Sequence, residues 1–110
     1  MKEPYVGRAL VLIHRRMGEP WSADLLASEV ALSRSAFVER FTSLVGMPPI
    51  RYLTVVRLQA AKNKLRETGK SIAELAYSFG YDSGEGFSRA FKREYGVSPA
   101  QWREQNSTEN

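Results

Sequence analysis

Residues 22–52 of this 110-residue chain recur, in altered form, over residues 71–102. Ser22, Leu26 and Ala27 return 49 positions later as Ser71, Leu75 and Ala76. One residue is inserted near Asp82, and from there the offset is 50. Ser33, Phe37, Phe41, Gly46 and Pro49 return as Ser83, Phe87, Phe91, Gly96 and Pro99, and the aromatic Tyr52 is matched by Trp102. The retained positions are caps, core aromatics, a stop glycine and a start proline. A chain that keeps those builds one small helical unit twice.

The apolar spacing is helical almost throughout, without strand alternation or hairpin signals. Pro4 sits in the first turn of a helix carrying Val6, Leu10, Ile13 and Met17, ended by Gly18 and Pro20. Ser22 caps a second helix whose apolar face is Leu25, Leu26 and Val30. Ser33 caps a third, with Phe37, Phe41 and Leu44 inward and Gly46 as its stop. Pro48-Pro49 opens a long helix to about Glu67, stopped by Gly69. Ser71 and Glu74 have capping-box spacing for a fifth helix holding Ile72, Leu75, Ala76 and Phe79. Ser83 caps a sixth, and Ser98-Pro99 opens a seventh with Trp102. The expected fold is all-α: seven helices in two subdomains, residues 1–48 and 69–105, joined by a linker helix over 49–68. Residues 106–110 read as a frayed tail.

Within each copy, two short helices are joined by a tight turn, Ala31-Leu32 in the first and Gly80-Tyr81-Asp82 in the second. That is helix-turn-helix geometry, although one copy alone would equally suit a corner used only for packing. Two copies on a chain of net charge +4 and pI about 9.6 favour a polyanionic partner, double-stranded DNA above all. The chain has no cysteine and one histidine, His14, which excludes thiolate metal sites, disulfides and cysteine nucleophiles. No catalytic residue, metal or cofactor is expected. The longest apolar run, Ala9 to Ile13, is far too short for a membrane span, and the start lacks signal-peptide form. A cytoplasmic protein is expected.

On the helix over about 84–95, Phe87, Ala90, Phe91 and Tyr95 form one stripe, and Glu85, Arg89, Lys92 and Arg93 oppose it. On the helix over about 34–45, Ser35, Glu39 and Thr42 lie opposite the aromatics, with Val38 beside them and Arg34 at the start. A recognition helix turns its N-terminal residues toward base edges. The base-reading candidates are therefore Ser35, Val38, Glu39, Glu85, Gly86 and Arg89. Arg89 suits guanine O6 and N7, Glu39 and Glu85 suit cytosine N4, and Val38 suits a thymine methyl. Arg34, Thr42, Ser83, Ser88, Lys92 and Arg93 suit phosphates. The alternative for Glu85 and Arg89 is an i,i+4 ion pair on a solvated face. Gly84 and Gly86 disfavour a helix start, and their place near bases suggests close backbone approach with amides open to a phosphate. The long helix, about 27 Å if regular, is a fair spacer for two recognition helices in successive major-groove segments. The rival reading is a protein-interaction module on the same fold.

The stretch SIAELAYSFGYDSGEGFSRAFKREYGVSPAQWR resembles the signature of the AraC/XylS family of bacterial transcription regulators, and LSRSAFVERFTSLVGMPPIRYLTVVRLQAAKNKL resembles the rest of that family's DNA-binding domain. The resemblance covers about residues 5–104. It implies seven helices, two helix-turn-helix units and a connecting helix. It also implies that Arg89 reads bases from the second recognition helix, and Ser35, Val38 and Glu39 from the first. Glu39 is acidic where some relatives carry arginine, and Gly84 and Gly86 occupy sites where relatives more often carry residues with side chains. The family implies a separate sensing or dimerising domain, which is expected to lie outside this chain, and RNA polymerase as a candidate partner.

Overall fold

Six side chains decide where the helices begin. In the computed structural model, which describes residues 3–106, Glu3, Ser22, Ser33, Ser71, Ser83 and Ser98 each accept a hydrogen bond from a first-turn amide. The helices they start are α1 (Pro4–Arg15), α2 (Ala23–Glu29), α3 (Arg34–Val45), α5 (Ile72–Ser78), α6 (Gly84–Tyr95) and α7 (Pro99–Gln105). Between α3 and α5 runs α4 (Pro49–Glu67), opened by its proline. The described residues are thus all-α with seven helices, as the apolar spacing predicts. Of the expected tail, residues 107–110 lie outside the described residues.

The described residues form two compact units, and the boundary falls between Val56 and Arg57, inside α4. The core of the first unit is Val6, Ala9 and Ile13 from α1, Leu26, Ala27 and Val30 from α2 and its cap, Phe37 and Phe41 from α3, and Leu53 and Val56 from α4. In the second unit the buried residues are Leu58, Ala61 and Leu65 from α4, Leu75, Ala76 and Phe79 from α5 and its cap, Phe87 and Phe91 from α6, and Pro99. The repeat therefore reaches further than the sequence pattern suggests. Val6, Ala9 and Ile13 are matched 52 residues later by Leu58, Ala61 and Leu65. The second half of α4 does for one unit what α1 does for the other.

Two expected core residues face outward. Leu25 is 51% exposed and Leu44 is 50% exposed. On α2 the buried row is Leu26, Ala27 and Val30, which turns Leu25 away. On α3 the i,i+4 row from Phe37 and Phe41 continues to Val45, which packs on the core instead of Leu44. The end of α4 also differs from expectation. Gly46, Gly80 and Gly96 take left-handed conformations, whereas Gly69 does not. The last turn is closed by Thr68, whose amide and hydroxyl both donate to the Lys64 carbonyl, at 3.0 and 2.8 Å. Arg103 of α7 then donates from Nε to the Leu65 carbonyl at 2.9 Å and from Nη2 to the Thr68 carbonyl at 3.4 Å. A cation on the last carbonyls of a helix also suits its dipole.

The two helix-turn-helix turns carry a built-in comparison. Val30 and Phe79 cap α2 and α5 in the same conformation, and Leu32 and Tyr81 both donate their amides back to an alanine carbonyl, Ala27 and Ala76. Between them the first turn has Ala31 at φ +61° and the second has Gly80 at φ +86°. Alanine in that region costs about 1–2 kcal/mol, partly offset by the greater freedom of glycine in the unfolded chain. Ala31→Gly is expected to stabilise the chain by about 0.5–1 kcal/mol. Urea unfolding that shows a loss of stability would refute this.

Candidate nucleic-acid interface

The cap serines place the candidate readers. Ser83 accepts from the Gly86 amide at 3.0 Å, and Ser33 accepts from the Ala36 amide at 3.2 Å. Phe87 and Phe91 are completely buried, as are Phe37 and Phe41, so the opposite faces of α6 and α3 turn to solvent. Beside the start of α6 lies an open concavity lined by Ile72 and Ala73 of α5 together with Ser83, Gly84, Glu85, Ser88 and Arg89. A second lies on α3, lined by Arg34, Ser35, Val38 and Glu39. The four α3 positions are, 50 residues on, Gly84, Glu85, Ser88 and Arg89. Each unit thus presents a hollow at the same four repeat positions.

Five of the six base-reading candidates line these hollows: Ser35, Val38 and Glu39 in one, Glu85 and Arg89 in the other. Gly86 does not. Of the phosphate candidates, Arg34, Ser83 and Ser88 line them, while Lys92 and Arg93 are exposed further along α6. Thr42 is placed differently from its expected outward pose. Its hydroxyl oxygen is buried and has no hydrogen-bond partner among the described residues. Val38 is half-buried and packs partly on the core. Ile72 and Ala73, from the helix preceding α6, went unrecognised in the sequence. Their signal was the capping box at Ser71 and Glu74, which fixes where α5 begins.

The charged side chains at the mouths of these hollows are uncommitted among the described residues. Among the described residues, neither Glu85 nor Arg89 makes a hydrogen bond or ion pair, so the i,i+4 pair does not form. Arg34 and Glu39 are likewise free. The neighbouring Arg40, by contrast, is held by Glu3 at 2.8 Å. An exposed arginine with all its donors open can meet a planar acceptor pair bidentately. No group of three or more metal-ligating side chains occurs among the described residues. None of their helices is long and apolar enough to cross a membrane.

The glycines at the start of α6 are not demanded by the chain itself. A Cβ on Gly86 would meet only Ser83 Oγ, at 3.4 Å, and one on Gly84 would touch Ala73 at 3.7–3.9 Å, an ordinary contact. Neither has a left-handed φ. The Gly86 amide is also not open to a phosphate, because Ser83 occupies it. Gly86→Ala is expected to stabilise α6 by about 0.5–1 kcal/mol, the difference in helix propensity. A lower melting temperature would contradict this.

Residues 26–105 match the model of a helix-turn-helix domain family. The chain is 39% identical over 103 residues to a Streptomyces antibioticus protein described as an AraC-like transcription regulator, covering 94% of this chain and 34% of that one. It is 36% identical over 106 residues to the HTH-type transcriptional regulator AlkR of Acinetobacter baylyi, covering 96% and 35%. The chain thus spans about a third of the length of the curated relatives it matches. Among solved structures, the C-terminal domain of AraT, a response regulator from Geobacillus stearothermophilus, superposes with TM-score 0.95 at 29% identity, covering 98% of this chain and 90% of that one. The DNA-binding domain of the global transcriptional factor AdpA, solved in complex with a target DNA, superposes with TM-score 0.87 at 28% identity, covering 91% and 90%. Both curated relatives are regulators of transcription. With two helix-turn-helix motifs on seven helices and these likenesses over most of its length, the chain belongs to the AraC family of helix-turn-helix domains.

Proposed function

We propose that this domain binds double-stranded DNA in a sequence-specific manner and serves transcription regulation in a bacterial cytoplasm, as one part of a longer regulator. The observation that carries the reading is the pair of matched hollows, one per unit, whose rims hold charged side chains that are free among the described residues, at the start of α3 and of α6. The relative solved on its target DNA supports it. In this reading α3 and α6 each enter a major-groove segment. Arg89 pairs with guanine, Glu39 and Glu85 accept from cytosine N4, and Val38 meets a thymine methyl. Ser35 lies at the same level, and Gly86 allows close approach of the backbone. Arg34, Ser83, Ser88, Lys92 and Arg93 hold phosphates, and Thr42 joins them after rotation about χ1. A sensing or dimerising domain elsewhere in the longer protein, and RNA polymerase, complete the partners.

Selection of bound duplexes from a random pool tests the reading. Two preferred sub-sites about 10 bp apart are expected, one helical turn of B-DNA. A single sub-site would leave only one helix reading. No preferred duplex and no salt-dependent binding would move the domain to the protein-interaction reading.

A further inference from the structure

The two units share a frame that places one more pair of contacts. Val6, Ala9 and Ile13 correspond to Leu58, Ala61 and Leu65 at an offset of 52, so Tyr5 and Arg57, one residue earlier, fall at the same position. Each is half of a cation–π contact. In the first unit the Arg40 guanidinium of α3 lies 5.2 Å from the centre of the Tyr5 ring on α1. In the second, the Arg57 guanidinium of α4 lies 5.9 Å from the ring of Tyr81, in the turn before α6. The partners are exchanged, yet each contact ties the first helix of its unit to the recognition element.

The second contact is the more buried. Tyr5 and Arg40 are exposed, whereas Arg57 and Tyr81 are half-buried. Burial lowers the pKa of Arg57 and raises that of Tyr81 from their ordinary values. Such contacts gain strength as they lose water. The Tyr81 ring also meets Phe87 edge-on at 5.4 Å, and Phe87 is completely buried two residues before Arg89. In the first unit Leu32 takes the place of Tyr81, so this chain of contacts belongs to the second unit alone.

We propose that Arg57 is a positioning residue for base reading: through Tyr81 and Phe87 it sets the pose of the first turn of α6, and with it the reach of Arg89. The proposal rests on the DNA-binding reading above. It makes specific recognition depend on a residue in the middle of α4 that need not touch DNA.

The test uses the full chain and the duplexes recovered by selection. Arg57→Met keeps the stem and removes the charge, Tyr81→Leu removes the ring, and Tyr81→Phe keeps it. Arg57→Met and Tyr81→Leu are each expected to weaken the selected duplex about five- to tenfold, with little change on random duplex and an unchanged salt slope. The double variant is expected to lose no more than either single one, and Tyr81→Phe to bind like the parent. A drop of about one unit in salt slope with equal loss on random duplex would make Arg57 a phosphate contact and overturn the proposal. Unchanged affinity of Arg57→Met would also overturn it. In the free protein, the Arg57 Nε–H resonance and the amides of residues 84–89 are expected to shift in Tyr81→Leu and stay in place in Tyr81→Phe. Unmoved resonances in Tyr81→Leu would sink the contact chain whether or not any duplex is preferred. A failed selection with those shifts present would sink the DNA reading, and the positioning role with it, and leave the contact chain standing.

Discussion

Phe91→Ala is expected to cost about 3–5 kcal/mol, a large share of the stability of a domain of this size. Phe91 is completely buried, and its ring lies 5.9 Å from Phe87, 4.7 Å from Tyr95 and 6.3 Å from Trp102. The substitution removes both the transfer free energy of the ring and the tilted and edge-on aromatic contacts around it, and the cavity left behind closes only in part. Trp102 is a reporter within that cluster. Urea unfolding followed by its fluorescence, in a chain with Trp21 replaced by phenylalanine, would show the loss directly. A cost below about 1 kcal/mol would mean that the site collapses onto itself and that the aromatic cluster is not the centre of the unit. Tyr95 adds a qualification that the same assay reads. Its hydroxyl is buried without a partner among the described residues, so ring burial there carries an unmet polar group.

Arg89→Ala carries the largest expected effect on recognition. On the proposed reading it weakens the selected duplex by about 1–3 kcal/mol and abolishes the preference at one base pair. The basis is geometric: Arg89 lines the hollow at the start of α6, is exposed, and is held by no carboxylate among the described residues. Lys92→Ala supplies the contrast. Lys92 is exposed on α6 but outside the hollow, so it is expected to weaken all duplexes alike and to lower the salt slope by about one unit. Binding titrations at several salt concentrations, on selected and random duplexes, separate the two. Equal losses for Arg89→Ala on both duplexes would remove its base-reading role.

What could be read from the sequence was mostly local chemistry. The cap serines, the Ser71–Glu74 box and the left-handed glycines after α3 and α6 act within a few residues of themselves, and each sits where its spacing implies. The aromatic pairs Phe37/Phe41 and Phe87/Phe91 repeat the helical period so strongly that their burial was equally legible. What escaped was decided across longer distances. Whether Leu44 or Val45 points inward depends on where α1 and α4 pack, and two apolar neighbours in sequence do not distinguish the choices. The closing of α4 by Arg103 joins residues 38 and 35 positions apart, beyond any capping pattern. The Glu85–Arg89 spacing permits an ion pair that the side chains do not adopt, since exposed pairs gain only a few tenths of a kcal/mol against lost rotamer freedom. The hollow beside α6 could be read only in part, because Ile72 and Ala73 come from a different helix.

The shared helix has a consequence for cutting the protein apart. A fragment ending before Pro49 keeps both helices of the first motif but loses Leu53 and Val56 from its core. A fragment beginning after Glu67 keeps the second motif but loses Leu58, Ala61 and Leu65. The shortest pieces that retain each full apolar set therefore meet inside α4, between Val56 and Leu58, so the only cleavage that spares both sets cuts through that helix. Any insertion or swap of one motif between such proteins has to carry its portion of α4 with it, with the junction near Val56 and Arg57.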